Sequence, residues 1–229
     1  MTKNATGLII AAGSSTRMDG IDKIFTPIFK RPVISYSIQA MQDCNAIKSI
    51  ILVFSAENLH KGNSLVKQED WSKVKSIIAG GERRQDSVKL GLSHVKDAVW
   101  TVIHDGSRPC VTTKILDNSL RHASTMGSAV AAVRVKDTIK IADKSLTVTQ
   151  TPKRNSLWMV QTPQVFKTKI LKLAHEKITK DVTDDASMIE ALGGKVSLFV
   201  SEYSNIKITT SEDINVVKAF INDQQGQNL

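Results

Sequence analysis

The stretch Leu8-Ile9-Ile10-Ala11-Ala12-Gly13-Ser14-Ser15-Thr16-Arg17-Met18 decides the fold. It begins, just after Gly7, as an unbroken apolar run over 7–12, the pattern of a strand covered on both faces. It then empties into small residues followed by a cation. Similar runs rich in Ile, Val, Ala or Leu recur at 49–55, 100–104, 128–135 and 195–200. Between them the spacing predicts helices over 32–43, 85–95, 113–124, 168–177, 183–192 and 211–222. Thr183 is expected to cap the 183–192 helix, with Asp184 and Asp185 set against its dipole and Gly193-Gly194 ending it. Strand and helix in alternation imply an open, mostly parallel α/β sheet with helices on both faces. No internal repeat and no Gly/Ser linker interrupts the pattern, so residues 1–229 are expected to form one domain.

Composition sets the outer limits. Of 229 residues 41% are hydrophobic and 23% charged, ordinary globular values that exclude collagenous and low-complexity chains. The 31 Lys+Arg outnumber the 22 Asp+Glu, and the net charge of +9 favours anionic partners without choosing among nucleic acid, a membrane surface and phosphorylated small molecules. Aromatic residues make up only 5%, which leaves few stacking platforms and argues against a nucleic-acid-binding module. Cys44 and Cys110 are the only cysteines, so a disulfide framework and a Cys-rich zinc site are both excluded. The apolar stretch near the N-terminus is too short for a signal sequence or a membrane span. The expectation is a reduced, cytoplasmic protein with neither membrane nor nucleic acid as partner.

The loop after the first strand is neither a Walker A loop nor a three-glycine dinucleotide fingerprint, because Ser15 and Met18 stand where glycines are needed. Its small side chains let backbone amides approach a phosphate at the carboxyl end of the strand. Arg17 and Lys23 beside it suit a triphosphate better than a dinucleotide. Gly80-Gly81-Glu82-Arg83-Arg84-Gln85-Asp86-Ser87 places a turn, a basic pair and a hydroxyl before a helix, which suits an anion or a base edge. His104-Asp105-Gly106-Ser107-Arg108-Pro109 puts Asp105 at a strand end, able to hold Mg²⁺ or a ribose hydroxyl, or merely to form an Asx-turn. The five histidines are scattered and no nucleophile elbow or metalloprotease helix occurs, so nucleophilic and metal-hydrolytic chemistry are not indicated. Residues 138–149 alternate apolar and polar about a turn at 142–145, a β-hairpin. It reads either as an antiparallel edge of the main sheet or as an arm that clasps a second subunit.

Taken in order, these segments closely resemble the 2-C-methyl-D-erythritol 4-phosphate cytidylyltransferases, almost end to end. The resemblance rests on Ala11-Ala12-Gly13 with Arg17-Met18, Gly80-Gly81 with Arg84 and Ser87-Val88, His104-Asp105 with Arg108-Pro109, and Asp137-Thr138. It continues through Arg154-Asn155 with Leu157-Trp158, Gln161-Thr162-Pro163-Gln164 with Phe166, Thr183-Asp184-Asp185-Ala186-Ser187, and Asn205-Ile206-Lys207-Ile208-Thr209. It implies a Rossmann-like sheet with a protruding β-arm at about 136–153 that joins a homodimer. It also implies transfer of CMP from CTP to a sugar-alcohol phosphate, with Mg²⁺ held mainly through the CTP phosphates and no metal site of the protein's own. Carried over residue by residue, Arg17 and Lys23 stabilise the transition state, and Arg154 and Lys207 position the substrate phosphate. Ala11, Ala12, Gly13, Ser14, Gly81, Ser87, Asp105 and Gly106 lie along the nucleotide, and Asp105, Arg108, Thr138 and Thr183 line the polyol side.

The chain departs from the family pattern at three places. Ser15 stands where a second glycine is common, Asp22-Lys23-Ile24 replaces a Pro-Lys-Gln run, and Gly106-Ser107 replaces a pair of alanines. A carboxylate at Asp22 lowers the positive potential beside Lys23, and this feature keeps open a third reading, a paralogue that binds nucleotide without turning it over. The ribitol 5-phosphate cytidylyltransferases share the loop chemistry, but Trp158 and the 183–187 run fit the methylerythritol family better.

Overall fold

Ala5–Ala11 (β1) is buried at every position, and its side chains alternate between two cores. Ile9 and Ala11 pack into one, Leu8 and Ile10 into the other, as an unbroken apolar run requires of a central strand. The computed structural model describes residues 4–13 and 22–226. In chain order the further strands are Pro27–Ile28 (β2), Arg31–Pro32 (β3), Ile47–Phe54 (β4), Val74–Ala79 (β5), Trp100–Asp105 (β6), Ser128–Arg134 (β7), Ile141–Ala142 (β8), Val148–Gln150 (β9), Trp158–Lys167 (β10) and Leu198–Val200 (β11). The α-helices are Val33–Asp43 (α1), Leu59–Glu69 (α2), Arg84–Ser93 (α3), Thr113–Met126 (α4), Thr168–Lys177 (α5), Asp185–Ala191 (α6) and Glu212–Gly226 (α7).

The seven-stranded sheet runs β11-β7-β10-β6-β1-β4-β5. Its neighbours are parallel except at β10, which is antiparallel to both β6 and β7. Ile34, Ile38 and Met41 of α1 and Ile115, Leu116 and Leu120 of α4 cover one face. Val88 and Leu92 of α3, Leu171 and Ala174 of α5, and Met188 and Ile189 of α6 cover the other. After β1 the chain builds β4 and β5 on one side, then crosses back to lay β6 on the other. The carboxyl ends of β1 and β6 therefore lie side by side at the point where the strand order reverses, with Ile10 opposite Asp105. The Gly106 amide donates to Ile10 O at 2.8 Å. A Cβ at Gly106 would stand 3.2 Å from Ala11 Cβ and 3.3 Å from Ile10 O, so a side chain would crowd this seam.

Several sequence expectations are corrected. The N-cap of α6 is Asp184, not Thr183: its side chain accepts from the Ser187 amide at 3.0 Å. Gly193, at φ +79°, ends that segment as expected. Only Leu198–Val200 of the 195–200 run is strand. The hairpin pairs Ile141 with Gln150 and Ala142 with Val148, a shorter ladder than 138–149 implied, and it forms its own two-stranded sheet instead of extending an edge of the main one. Asp143 organises the turn, its Oδ1 accepting from the amides of Ser145 at 2.9 Å and Thr147 at 3.0 Å. Leu146 stands 86% exposed at the tip.

The root of the hairpin is tied to the body of the same chain. Arg154 Nη1 donates to Lys136 O at 2.8 Å, and Tyr203 Oη donates to Arg134 O at 2.8 Å. The Arg134 guanidinium lies 4.0 Å above the Trp158 ring, and Lys136 Nζ lies 3.7 Å from the centre of the Tyr203 ring. Each such stack adds about 0.5–1 kcal/mol where exposed.

Candidate active site

Two cavities meet at the switch point. The larger, about 420 Å³, is floored by Ile10, Ala11, Ala12 and Gly13 and walled by Lys23, Gly81, Arg84 and Ser87. The smaller, about 220 Å³, lies toward β10 and α6 among Arg108, Thr162, Gln164 and Thr183. Arg84, Asp105 and Lys207 line both.

Asp105 is the hub. It ends β6, is nearly buried, and faces three cations: Lys207 Nζ at 2.9 Å, Arg84 Nε at 3.3 Å and Arg108 Nε at 3.7 Å. Burial alone raises its carboxyl pKa, but Arg84, Lys207 and Arg108 together outweigh burial and hold it well below the usual carboxylate range. The side chain is thus a fixed anion that gathers positive charge, not the cap of an Asx-turn. Arg108 spends Nη1 on Asn205 O at 2.8 Å, and burial lowers its pKa against the pull of Asp105.

Behind Asp105 the backbone is locked by a chain with a defined direction. The Asp105 amide donates to Thr162 Oγ1 at 3.0 Å, and Thr162 Oγ1 lies 3.1 Å from His104 Nδ1. His104 Nε2 lies 3.2 Å from Arg108 O. A carbonyl can only accept, so Nε2 carries the proton and Nδ1 accepts from the threonine hydroxyl, a tautomer assigned from its partners. Burial pushes the pKa of His104 down to about 4, consistent with a neutral ring.

The sequence-predicted residues divide into three sets. Ala11, Ala12, Gly13, Lys23, Gly81, Ser87, Asp105 and Lys207 line the larger cavity, and Asp105, Arg108, Thr183 and Lys207 line the smaller. Ser14 and Arg17 lie outside the described residues. Thr138 and Arg154 line neither cavity and sit at the exposed root of the arm, while Gly106 lies behind the wall. The Ser87 hydroxyl stitches the glycine turn, accepting from the Gly81 amide at 3.1 Å. A Cβ at Gly80 would come within 2.6 Å of that hydroxyl and 2.4 Å of Ala12 Cβ. Asp22 Oδ1 accepts from the Ile24 amide at 3.2 Å, and its Oδ2 faces Lys61 Nζ at 3.5 Å.

Sequence reasoning did not distinguish Arg84 from Arg83 and gave Asp185 only a place against its helix dipole, although both stand in quoted motifs. The pair Arg83-Arg84 looks symmetric in one dimension. Arg83 is the N-cap of α3 and turns outward to Asp86 and Asp181, whereas Arg84, one position on, points back at Asp105 and Asp185.

The chain that builds this crevice, small-residue loop on one side and cation-ringed carboxylate on the other, is similar to known proteins along nearly its whole length. The family model for 2-C-methyl-D-erythritol 4-phosphate cytidylyltransferase matches residues 6–223. A protein of that name from Dehalococcoides mccartyi is 42% identical over 93% of this chain and 94% of its own. Another, from Caldanaerobacter subterraneus, is 41% identical over 95% and 99%. The crystal structure of 4-diphosphocytidyl-2C-methyl-D-erythritol synthase from Anaerococcus prevotii superposes with a TM-score of 0.85 at 28% identity, covering 96% of this chain and 97% of that one. The strand order, the hairpin and the motifs at the switch point all fall within the matched span, and the chain belongs to the 2-C-methyl-D-erythritol 4-phosphate cytidylyltransferase family.

Proposed function

We propose that this chain transfers CMP from CTP to 2-C-methyl-D-erythritol 4-phosphate, forming 4-diphosphocytidyl-2-C-methyl-D-erythritol and releasing pyrophosphate. The observation that carries the reading is the sharing of Asp105, Lys207 and Arg84 between two adjoining cavities. Two phosphorylated substrates bound one in each would meet at that seam.

The nucleophile is a phosphomonoester oxygen, largely dianionic at neutral pH because its second pKa is about 6, so no general base is needed. The difficulty is repulsion between two anions. An O–P bond forms at the α-phosphorus while the bond to the bridging oxygen breaks, and the electron pair leaves with pyrophosphate. Catalysis then consists of alignment and charge neutralisation. In this reading the amides of Ala12 and Gly13 and the side chains of Lys23 and Arg17 hold the triphosphate and meet the charge developing at the α-phosphate. Lys207 meets the incoming monophosphate, and Arg108, Thr183 and Asp105 face the polyol.

Among the described residues no group of three or more His, Cys, Asp and Glu is placed to hold a metal ion, and the Asp105 oxygens already face Arg84, Lys207 and Arg108. In this reading Mg²⁺ arrives on the CTP phosphates as part of the substrate. Cys44 and Cys110 are buried free thiols, which supports a reducing, cytoplasmic setting.

The position of Thr138 and Arg154 supports a homodimer. In one chain they sit apart from both cavities, and the arm that carries them exposes Ile139, Ile141, Leu146 and Val148. Packed against a second copy, that apolar arm would bring Arg154 and Thr138 to the partner's sugar-phosphate cavity.

The deciding measurement is pyrophosphate release from CTP plus 2-C-methyl-D-erythritol 4-phosphate, run beside ribitol 5-phosphate. Release with the branched substrate at the higher kcat/KM is the expected result. Equal or faster turnover of the linear polyol would overturn the substrate assignment.

A further inference from the structure

A buried polar chain continues from the cavities into the helical layer behind them. Arg84 Nη1 donates to Asp185 Oδ2 at 2.7 Å, and the other Asp185 oxygen lies 3.1 Å from His175 Nε2. Asp185 is 1% exposed and His175 4%. Because a carboxylate oxygen accepts, His175 Nε2 is the donor of that pair. The three residues come from three helices, α3, α6 and α5, which pack together on one face of the sheet.

Arg84 thus stands between two carboxylates of unequal hold. Its bond to Asp185 is short, while its approach to Asp105 is 3.3 Å through Nε. Lys207 approaches the opposite oxygen of Asp105 at 2.9 Å. Any weakening of the Asp185 contact would leave Arg84 free to close on Asp105, and two cations would then compete for a carboxylate that is already fully faced.

We propose that Asp185, backed by His175, is a positioning residue. It draws the Arg84 guanidinium into the wall between the cavities and so keeps Asp105 committed to Lys207. Neither Asp185 nor His175 lines either cavity, so both act through Arg84. The inference rests on the cytidylyl-transfer reading for its kinetic consequence, but the geometric part stands without it.

The test is a double-mutant cycle on the full chain. Asp185→Asn is expected to lower kcat/KM for the sugar phosphate by about tenfold or more in the unaltered background. In an Arg84→Met background the same change is expected to cost less than about twofold, since the residue it acts through is gone. Loss of melting temperature from Asp185→Asn should be larger in the unaltered background, where it breaks the buried ion pair, than in Arg84→Met, where that pair is already gone. An equal kinetic loss in both backgrounds would show a merely structural role and overturn the proposal. If Asp185→Asn fails to fold, the pair His175→Gln and His175→Leu replaces it. Glutamine retains an N–H donor and is expected to keep activity, leucine to lose it, and equal loss in both counts against the proposal.

A second arm needs no turnover. The Arg84 Nε–H, which donates to Asp105 Oδ1 at 3.3 Å and is assigned by its disappearance in Arg84→Lys, is expected to exchange with solvent about tenfold more slowly in Asp185→Asn, as the guanidinium closes on Asp105. Unchanged exchange would refute the geometry. A chain that shows the exchange effect but releases no pyrophosphate would instead refute the reaction assigned above.

Discussion

Lys207 Nζ lies 2.9 Å from Asp105 Oδ2 at the seam of the two cavities, one group from the loop after β11 and the other from the end of β6. A lysine held by a buried carboxylate is pre-placed: it loses little side-chain entropy when a phosphate arrives, and it keeps enough charge to share.

Lys207→Met should therefore act on one substrate. The expected outcome is a rise in KM for the sugar phosphate of about 10–100-fold with a far smaller rise for CTP. Steady-state kinetics with each substrate varied at saturation of the other will check it, and matched increases would count against the assignment.

Arg17 lies outside the described residues, and its role rests on its place in the sequence after Gly13 and on the family resemblance. Removing a preorganised charge at the developing oxyanion costs about 10²–10³ in kcat. Arg17→Ala should show that loss at saturating CTP with an unchanged melting temperature, whereas loss of a surface ion pair would cost under about 1 kcal/mol of stability and leave turnover intact.

His104 predicts a pH dependence of stability. Its folded pKa is depressed by burial to about 4, below the unfolded value of about 6.5. The unfolded state therefore binds the extra proton first as pH falls, so stability is full above about pH 6.5 and is lost progressively down to about pH 4. Over the first one and a half units the loss is about 2 kcal/mol. Urea titrations at pH 7 and pH 5 should show it, and His104→Asn, less stable at pH 7, should show a flatter slope between the two.

Subunit mixing tests the arm. Arg154→Ala and Lys207→Met homodimers should both be impaired. If Arg154 serves the partner's cavity, their heterodimer contains one intact site, and a randomly exchanged equimolar mixture should recover about a quarter of the parental activity. No recovery would mean that both residues act within one subunit, or that no dimer forms. Sedimentation of the parental chain distinguishes these two outcomes.

The central strands and the helices α1, α3, α4 and α5 were legible because two-sided burial writes itself as apolar runs and 3.6-residue spacing. β10 was not read as a strand. Pro163 interrupts it, the register slips between Val160 and Gln164, and Met159, Val160 and Lys167 face solvent. α2 buries only Gly62 and Leu65, too few to leave a stripe, and β5 is a half-buried edge. At the site, Asp105 and the small-residue loop were legible as residues placed at strand ends, and Lys207 through the family resemblance alone. The partition of cations was not, since whether Arg83 or Arg84 turns inward is settled by where a helix begins.

The carboxylate shared by both cavities has a consequence for anyone who would alter this enzyme. Recognition of the acceptor alcohol and affinity for the nucleotide cannot be tuned independently through Asp105, which walls both pockets. Selectivity engineering should begin instead at Thr183 and Gln164, which border only the smaller cavity. An inhibitor that lures Lys207 from Asp105 would take its cation away from the incoming sugar phosphate with one contact.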